Sequence, residues 1–319
     1  MIFLAKKTSR FIIMVITTVV TMISVFVTSC IHRAFFESPY QSWVYQLQNV
    51  EPQDIASAGF DLAVIDYSRN GNEDGEFSFE EINTIFEAGT TPIAYVSIGQ
   101  AENYRFYWKK EWDKNPPDWL GEEDPHWPGN FFVRYWYPEW QKIVFSYIDK
   151  IISQGFKGVY LDRVDSFEYW SDIKGEIRKE EAALEMIDFV LNIIEYTREK
   201  DPDFIVIPQN AESIIDFDNG ELISSVSGWA VEHLFYFKTT PLPFNETRER
   251  IKYLDTLKVH GKFILVVDYV DDGGNSFENL ERIKNFYRQA KNKGYVPYAA
   301  ESDLLLDEIN IVEDIQPKR

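Results

Sequence analysis

The sequence predicts an α/β protein, a (β/α)8 TIM barrel in a single domain with an aromatic-rich insertion after strand three. Three observations carry that prediction. Eight short apolar runs alternate with stretches of helical periodicity across residues 42–312. Glycines stand where helices should end and strands begin, at Gly59, Gly155, Gly261 and Gly294. No G-x-G-x-x-G follows the first strand, which leaves a doubly wound open sheet as the weaker alternative.

The first two strands are expected in SWVYQL (42–47) and DLAVIDYS (61–68). NGNEDGEFSFEE (70–81) then resembles a calcium loop with Asn70 in place of its first Asp. Ser78 and Glu81 equally form a capping box for a following helix, which accounts for the Glu without a metal, and no metal is expected. The third strand is TPIAYVSIG (91–99). Residues 103–138 after it are too long for an ordinary loop and form the insertion. Six of the nine tryptophans fall within residues 108–140. Most should pack the insertion onto the barrel, with one or two left to line a groove.

Residues 139–156 place apolar side chains at 140, 143, 144, 147, 148, 151 and 152, which is helical spacing. The fourth strand, GVYLD (158–162), ends abruptly on Asp162. Strands five to eight are FIVIPQN (204–210), GWAVEHLFY (228–236), KFILVVDYV (262–270) and YVPYAA (295–300). Helices are expected at 178–200, 244–258 and 277–290, and residues 313–319 as a tail.

The N-terminus reads as a targeting segment. Lys6, Lys7 and Arg10 precede 17 apolar-rich residues, 11–27, and then VTSC, which ends at Cys30, the single cysteine. This resembles a lipoprotein signal peptide over 1–29, with Cys30 lipidated and 30–41 a tether. A short uncleaved anchor and an incidental thiol are the alternatives. The expected location is outside the cytoplasm, on the cell envelope, with the membrane engaged through the lipid alone. Residues 1–29 hold three basic side chains and no acids, so the rest of the chain carries −23 where the whole carries −20. Such a body repels nucleic acid and attracts cations.

Barrels of this class carry their chemistry at the C-terminal ends of the strands. Those ends hold Asp66 and Tyr67, then Gln100, Glu102 and Arg105, then Asp162 with Asp165 just beyond. Asn210 and Glu212 follow, then Glu232 and Tyr236, then Asp268 and Tyr269. Carboxylates recur at six successive strand ends without basic residues to match. Carboxylates, amides and aromatics around one mouth suggest sugar chemistry, since glycosidases use two carboxyl groups. Strand parity points Tyr160 and Asp162 into the barrel and Arg163 away from it, unless the strand has already ended there. Asp165 either binds substrate or caps a turn, and Glu212 either belongs to the site or is a first-turn helix residue. No Walker motif, G-x-S-x-G elbow or His cluster is present, and no cofactor is expected.

GVYLDRVDSFEYW, PIAYVSIGQAENYR, YWYPEWQ and IPQNAE resemble the motifs of glycoside hydrolase family 114 over residues 42–305. The resemblance implies an endo-α-1,4-polygalactosaminidase-like barrel that cleaves galactosamine-containing polysaccharide, a cationic polymer. It implies Asp162 as nucleophile and Glu212 as acid/base in a retaining scheme. A carbohydrate-binding lipoprotein on the same barrel that no longer cleaves is the alternative.

Overall fold

Eight parallel strands follow one another in chain order: β1 (Trp43–Gln46), β2 (Leu62–Ile65), β3 (Thr91–Ser97), β4 (Gly158–Asp162), β5 (Ile205–Pro208), β6 (Gly228–Glu232), β7 (Phe263–Asp271) and β8 (Val296–Glu301). The structure, a computed structural model, describes residues 37–317. The expected signal peptide, Cys30 and residues 30–36 lie outside the described residues. A helix follows each of the first seven strands: α1 (Pro52–Ala58), α2 (Phe79–Glu87), α3 (Pro138–Ser153), α4 (Lys179–Lys200), α5 (Glu221–Ser225), α6 (Phe244–Val259) and α7 (Phe277–Lys293). The chain is an α/β barrel.

Its ladder has two seams. Strands β1 to β5 form one parallel sheet and β6 to β8 another. The sheets meet where Gln209 bridges Ala230 and Asn210 N donates to Ala230 O at 2.8 Å. Between β8 and β1 the described residues form no ladder. There the indole N–H of Trp43, rather than a backbone amide, donates to the Val296 carbonyl at 2.9 Å. The segment beyond β8 then covers that seam, with Leu47 N and Gln48 N both donating to Leu306 O. It does not leave the barrel as a tail at residue 313. Gln316 is buried, accepts from Ala299 N at 2.7 Å and donates to Ala299 O at 2.9 Å.

The strands read as unbroken apolar runs because both of their faces are covered. β1, β2 and β7 are buried at every residue. Helix α4 buries Ala182, Ala183, Met186, Ile187, Val190, Ile193 and Ile194, the stripe that helical spacing predicts. Helices α1 and α5 have seven and five residues, too short for a periodicity signal. Ser78 and Glu81 form the expected capping box at the start of α2, and Glu81 also pairs with Arg69.

Aromatic rings fill the barrel's interior where aliphatic layers are usual. Tyr45 lies 5.8 Å from Trp43 and 5.2 Å from Tyr160, and Trp43 lies 5.8 Å from Tyr298. Such rings give a wide, rigid floor just beneath the strand ends. The insertion forms a three-stranded antiparallel sheet from Gln100–Glu102, Leu120–Glu123 and Asn130–Val133. Its tryptophans pack as a chain, Trp112 on Trp119 at 5.1 Å and Trp119 on Trp140 at 5.2 Å.

Gly158 starts β4 where the neighbouring strands leave no room for a side chain. A Cβ there would stand 2.4 Å from Ile205 O and 2.6 Å from Ile205 Cβ. Gly158→Ala should therefore destabilise by about 1–3 kcal/mol through overpacking. Thermal melting reads this as a lower Tm, and an unchanged Tm would contradict the close approach.

Candidate active site

The strand ends and their loops enclose a cavity of about 540 Å³. Asp162 enters it at the end of β4, in register with Ser97 of β3 and with the parity of Tyr160. Tyr95, two residues earlier on β3, donates its phenol to Asp162 Oδ2 at 2.6 Å. Arg163 N donates to Oδ1 at 2.7 Å. Burial raises the Asp162 carboxyl above the usual range, against the Arg163 charge and these hydrogen bonds.

Glu232 enters the same cavity from the end of β6. Tyr269 of β7 donates its phenol to Glu232 Oε1 at 2.5 Å. Burial pushes this carboxyl up to about 7, and the nearby Asp162 charge pushes the same way. The charge of Arg250 opposes both. Asp162 and Glu232 keep some exposure, and both open onto the cavity.

Glu212 does not line the cavity. Asn210 and Ala211 both take left-handed backbone, φ 55° and 50°. Two such residues in succession turn the chain outward after β5, and Glu212 starts a short 3-10 helix beside α6. There it is buried and ion-paired with Arg250 of α6. Arg250 Nη1 in turn donates to the carbonyls of Glu232 at 2.8 Å and His233 at 3.0 Å. Asn210 does line the cavity, and its Oδ1 accepts from Glu232 N at 3.0 Å. The Q-N-A-E stretch thus holds the backbone beneath Glu232 instead of supplying a carboxyl to the mouth.

Parity decides two other pairs, because adjacent strand residues cannot both face inward. Asp66 lines the cavity, while Tyr67 packs in the core with its phenol on Gly71 O at 3.1 Å. Tyr269 lines the cavity, while Asp268 is buried outside it. Asp268 accepts the amides of Leu234, Phe235 and Tyr236 at 2.7–2.9 Å, which fixes the turn after β6. Burial pushes its carboxyl up to about 7 against those three bonds. Tyr236 is also a core residue, with its phenol on Asn285 at 3.1 Å.

The strand-end acids are matched by arginines after all. Arg105 Nη1 contacts both oxygens of Asp66 at 2.7–2.8 Å, and its Nε donates to Glu102 at 2.7 Å. All three line the cavity, as does Gln100, which donates to Asp124 at 2.7 Å. Burial raises Asp66 to about 6, with Arg105 opposing. Arg163 also lines the cavity, contrary to simple alternation. Its φ of 64° ends the strand and redirects the side chain towards Asp124 at 3.3 Å and Asp165 at 3.7 Å. Asp165 faces the cavity and makes no side-chain cap bond.

Sequence reasoning did not single out Tyr45, Tyr95 or Trp127 as lining residues, nor Asp124 and Arg250 as their supports. Tyr45 and Tyr95 were findable, since parity along β1 and β3 turns them inward. Asp124 and Arg250 come from the insertion and the helix layer, where no strand pattern points to the mouth.

A model of glycoside-hydrolase family GH114 matches residues 30–317. The chain belongs to this family. It is a glycosidase. An uncharacterized protein of Thermotoga maritima is 62% identical over 279 residues, covering 88% of this chain and 86% of that one. A second, from Methanocaldococcus jannaschii, is 54% identical over 270 residues, covering 84% and 78%. Among solved structures, the glycoside hydrolase domain of PelA from Pseudomonas aeruginosa superposes with a TM-score of 0.64 at 17% identity, over 85% of this chain and 98% of that one. Aspergillus fumigatus Ega3, solved with galactosamine, gives 0.62 at 17% identity, over 87% and 98%. At that identity the likeness is one of fold, and GH114 membership rests on the family match.

Arg105 is the counter-ion of two buried carboxyls, so Arg105→Ala should leave both unpaired. The expected loss is about 3–5 kcal/mol of folding stability, measured by urea unfolding. A loss within error would show that the three charges are not coupled.

Proposed function

We propose that this GH114 glycosidase hydrolyses α-1,4-linked galactosamine polymer, with Asp162 as nucleophile and Glu232 as acid/base. One observation carries the assignment. The two carboxyls share a single cavity, each held by a phenol, and burial with like charge pushes Glu232 up to about 7. Two carboxyls so placed do not ionise together readily, so one stays protonated while the other is charged. That is the division of labour that glycoside hydrolysis needs.

In the first step the Asp162 carboxylate bonds to the anomeric carbon as the glycosidic C–O bond breaks. Glu232 gives its proton to the departing oxygen. In the second step Glu232 takes a proton from water, whose oxygen displaces Asp162 and restores both groups. This is the retaining course, and the anomer first released, followed by NMR, distinguishes it from inversion. The substrate class is supported by the charge of −23 beyond residue 29. It is supported too by the five acids on the cavity wall, Asp66, Glu102, Asp162, Asp165 and Glu232. Galactosamine bound to Ega3, which shares the fold, points the same way.

Release of reducing ends from α-1,4-galactosamine polymer tests this reading. Asp162→Asn and Glu232→Gln should each lower kcat by about 10²–10⁴-fold while the polymer still binds. Glu212→Gln should lower it less, because Glu212 acts through Arg250 on the backbone of Glu232. Full activity of the Glu232 variant, or equal losses at Glu212 and Glu232, would reject the pair. The pH profile follows from the roles. Glu232 must be protonated, so the rate falls as pH rises through about 7. Asp162 must be charged, so the rate also falls on the acid side. A profile with no basic limb would remove Glu232 as the acid.

A further inference from the structure

The chain has nine tryptophans, and eight of them are used by the fold. Four donate the indole N–H to a backbone carbonyl, as Trp140 does to Ile98 at 2.8 Å. Four more pack ring against ring, as Trp112 does on Trp119. Trp127 does neither. It is 52% exposed and lines the cavity, and among the described residues its indole N–H has no partner and no other ring touches it. An indole held in water forfeits the hydrophobic gain that usually buries it.

The loop that presents Trp127 is well supported. Its amide donates to Asp124 O at 3.1 Å, and its carbonyl accepts from Asn130 N at 3.0 Å. The Asp124 carboxylate accepts His126 N at 2.9 Å and Gln100 Nε2 at 2.7 Å, and meets Arg163 Nη2 at 3.3 Å. The loop that carries the indole is therefore tied, through Asp124, to Arg163, the residue that follows Asp162. Tyr104, the other half-exposed aromatic on that wall, is already engaged. Arg105 lies 5.0 Å over its ring, and its phenol is bonded to Glu102.

We propose that Trp127 is a stacking platform for a galactosamine ring of the bound polymer, one other than the ring attacked at Asp162. This rests on the substrate reading above. Asp162 and Glu232 rise from the strand ends, whereas Trp127 stands on the insertion, so the two positions engage different rings. In an α-1,4-linked galacto-configured unit the C4 oxygen, which carries the glycosidic bond, is axial, and C3–H, C4–H and C5–H on the opposite side form an apolar patch suited to an aromatic ring. Glucosamine, with an equatorial C4 oxygen, offers no such one-sided patch. The ammonium of the stacked unit adds a cation–π attraction. The platform would hold the chain on one side of the scissile bond and favour attack within a polymer.

Size-graded α-1,4-galactosamine oligomers test this. Trp127→Ala should raise KM roughly tenfold, but only above a threshold chain length, with a smaller change in kcat. Trp127→Phe should recover most of the loss. Both variants should melt with the parent protein, because Trp127 has no partner to lose. In the Glu232→Gln background, oligomer binding should alter tryptophan fluorescence, and Trp127→Phe should remove that change. An unchanged KM at every length, or a Trp127→Ala protein that fails to fold, overturns the proposal. The same variants are run on galactose, N-acetylgalactosamine and glucosamine polymers. Cleavage of one of these instead of galactosamine overturns the substrate reading alone, and the Trp127 effect on that polymer still decides the platform. Binding to none of them overturns both.

Discussion

Two largely buried carboxyl groups share one cavity, and much of the surrounding structure exists to make that tolerable. Asp162 and Glu232 cannot both be charged there without cost, and burial pushes both carboxyls up. Each receives a phenol from the strand beside it, Tyr95 on β3 and Tyr269 on β7. The aromatic interior beneath them serves the same end. Rings of Trp43, Tyr45 and Tyr160 exclude water from below and add no competing charge. The result is a pair of carboxyls both raised by burial, which is the setting the proposed division of acid and nucleophile draws on.

The remaining acids at and behind the mouth are managed differently. Asp66 and Glu102 share Arg105, and Asp124 and Asp165 flank Arg163. Glu212 takes Arg250, which spends its other donors on the carbonyls of Glu232 and His233. These arginines do not sit within the strands. Arg105 follows the third strand in the insertion, Arg163 lies just past β4 in left-handed backbone, and Arg250 reaches in from helix α6. They neutralise charge and also set geometry, since a guanidinium fork fixes whatever it holds. The backbone of residues 232–236 is gripped from three sides, by Arg250, Asn210 and Asp268. Glu232 is thereby aimed through its backbone, by Asn210 in the cavity wall and by Arg250 and Asp268 outside it.

Sequence alone determined the elements and most of the order around the barrel. Eight apolar runs became eight strands because strands covered on both faces must be apolar throughout. Helical spacing found the long helices, α3, α4, α6 and α7, and passed over the short ones. Parity along β4 was enough to send Asp162 inward, and a capping box was enough to start α2. The choice of its partner was different in kind. Glu212 and Glu232 both follow strands, both carry the right group, and both lie in recognisable motifs. Only the tertiary structure separates them, since Glu232 opens onto the cavity and Glu212 does not, a difference that rests on two left-handed residues, Asn210 and Ala211, and on an arginine some forty residues away in another layer. Long-range ion pairing and the direction of a turn leave no periodic trace in a chain. Tertiary structure likewise singled out Trp127, since a tryptophan without a partner looks in sequence like every other tryptophan.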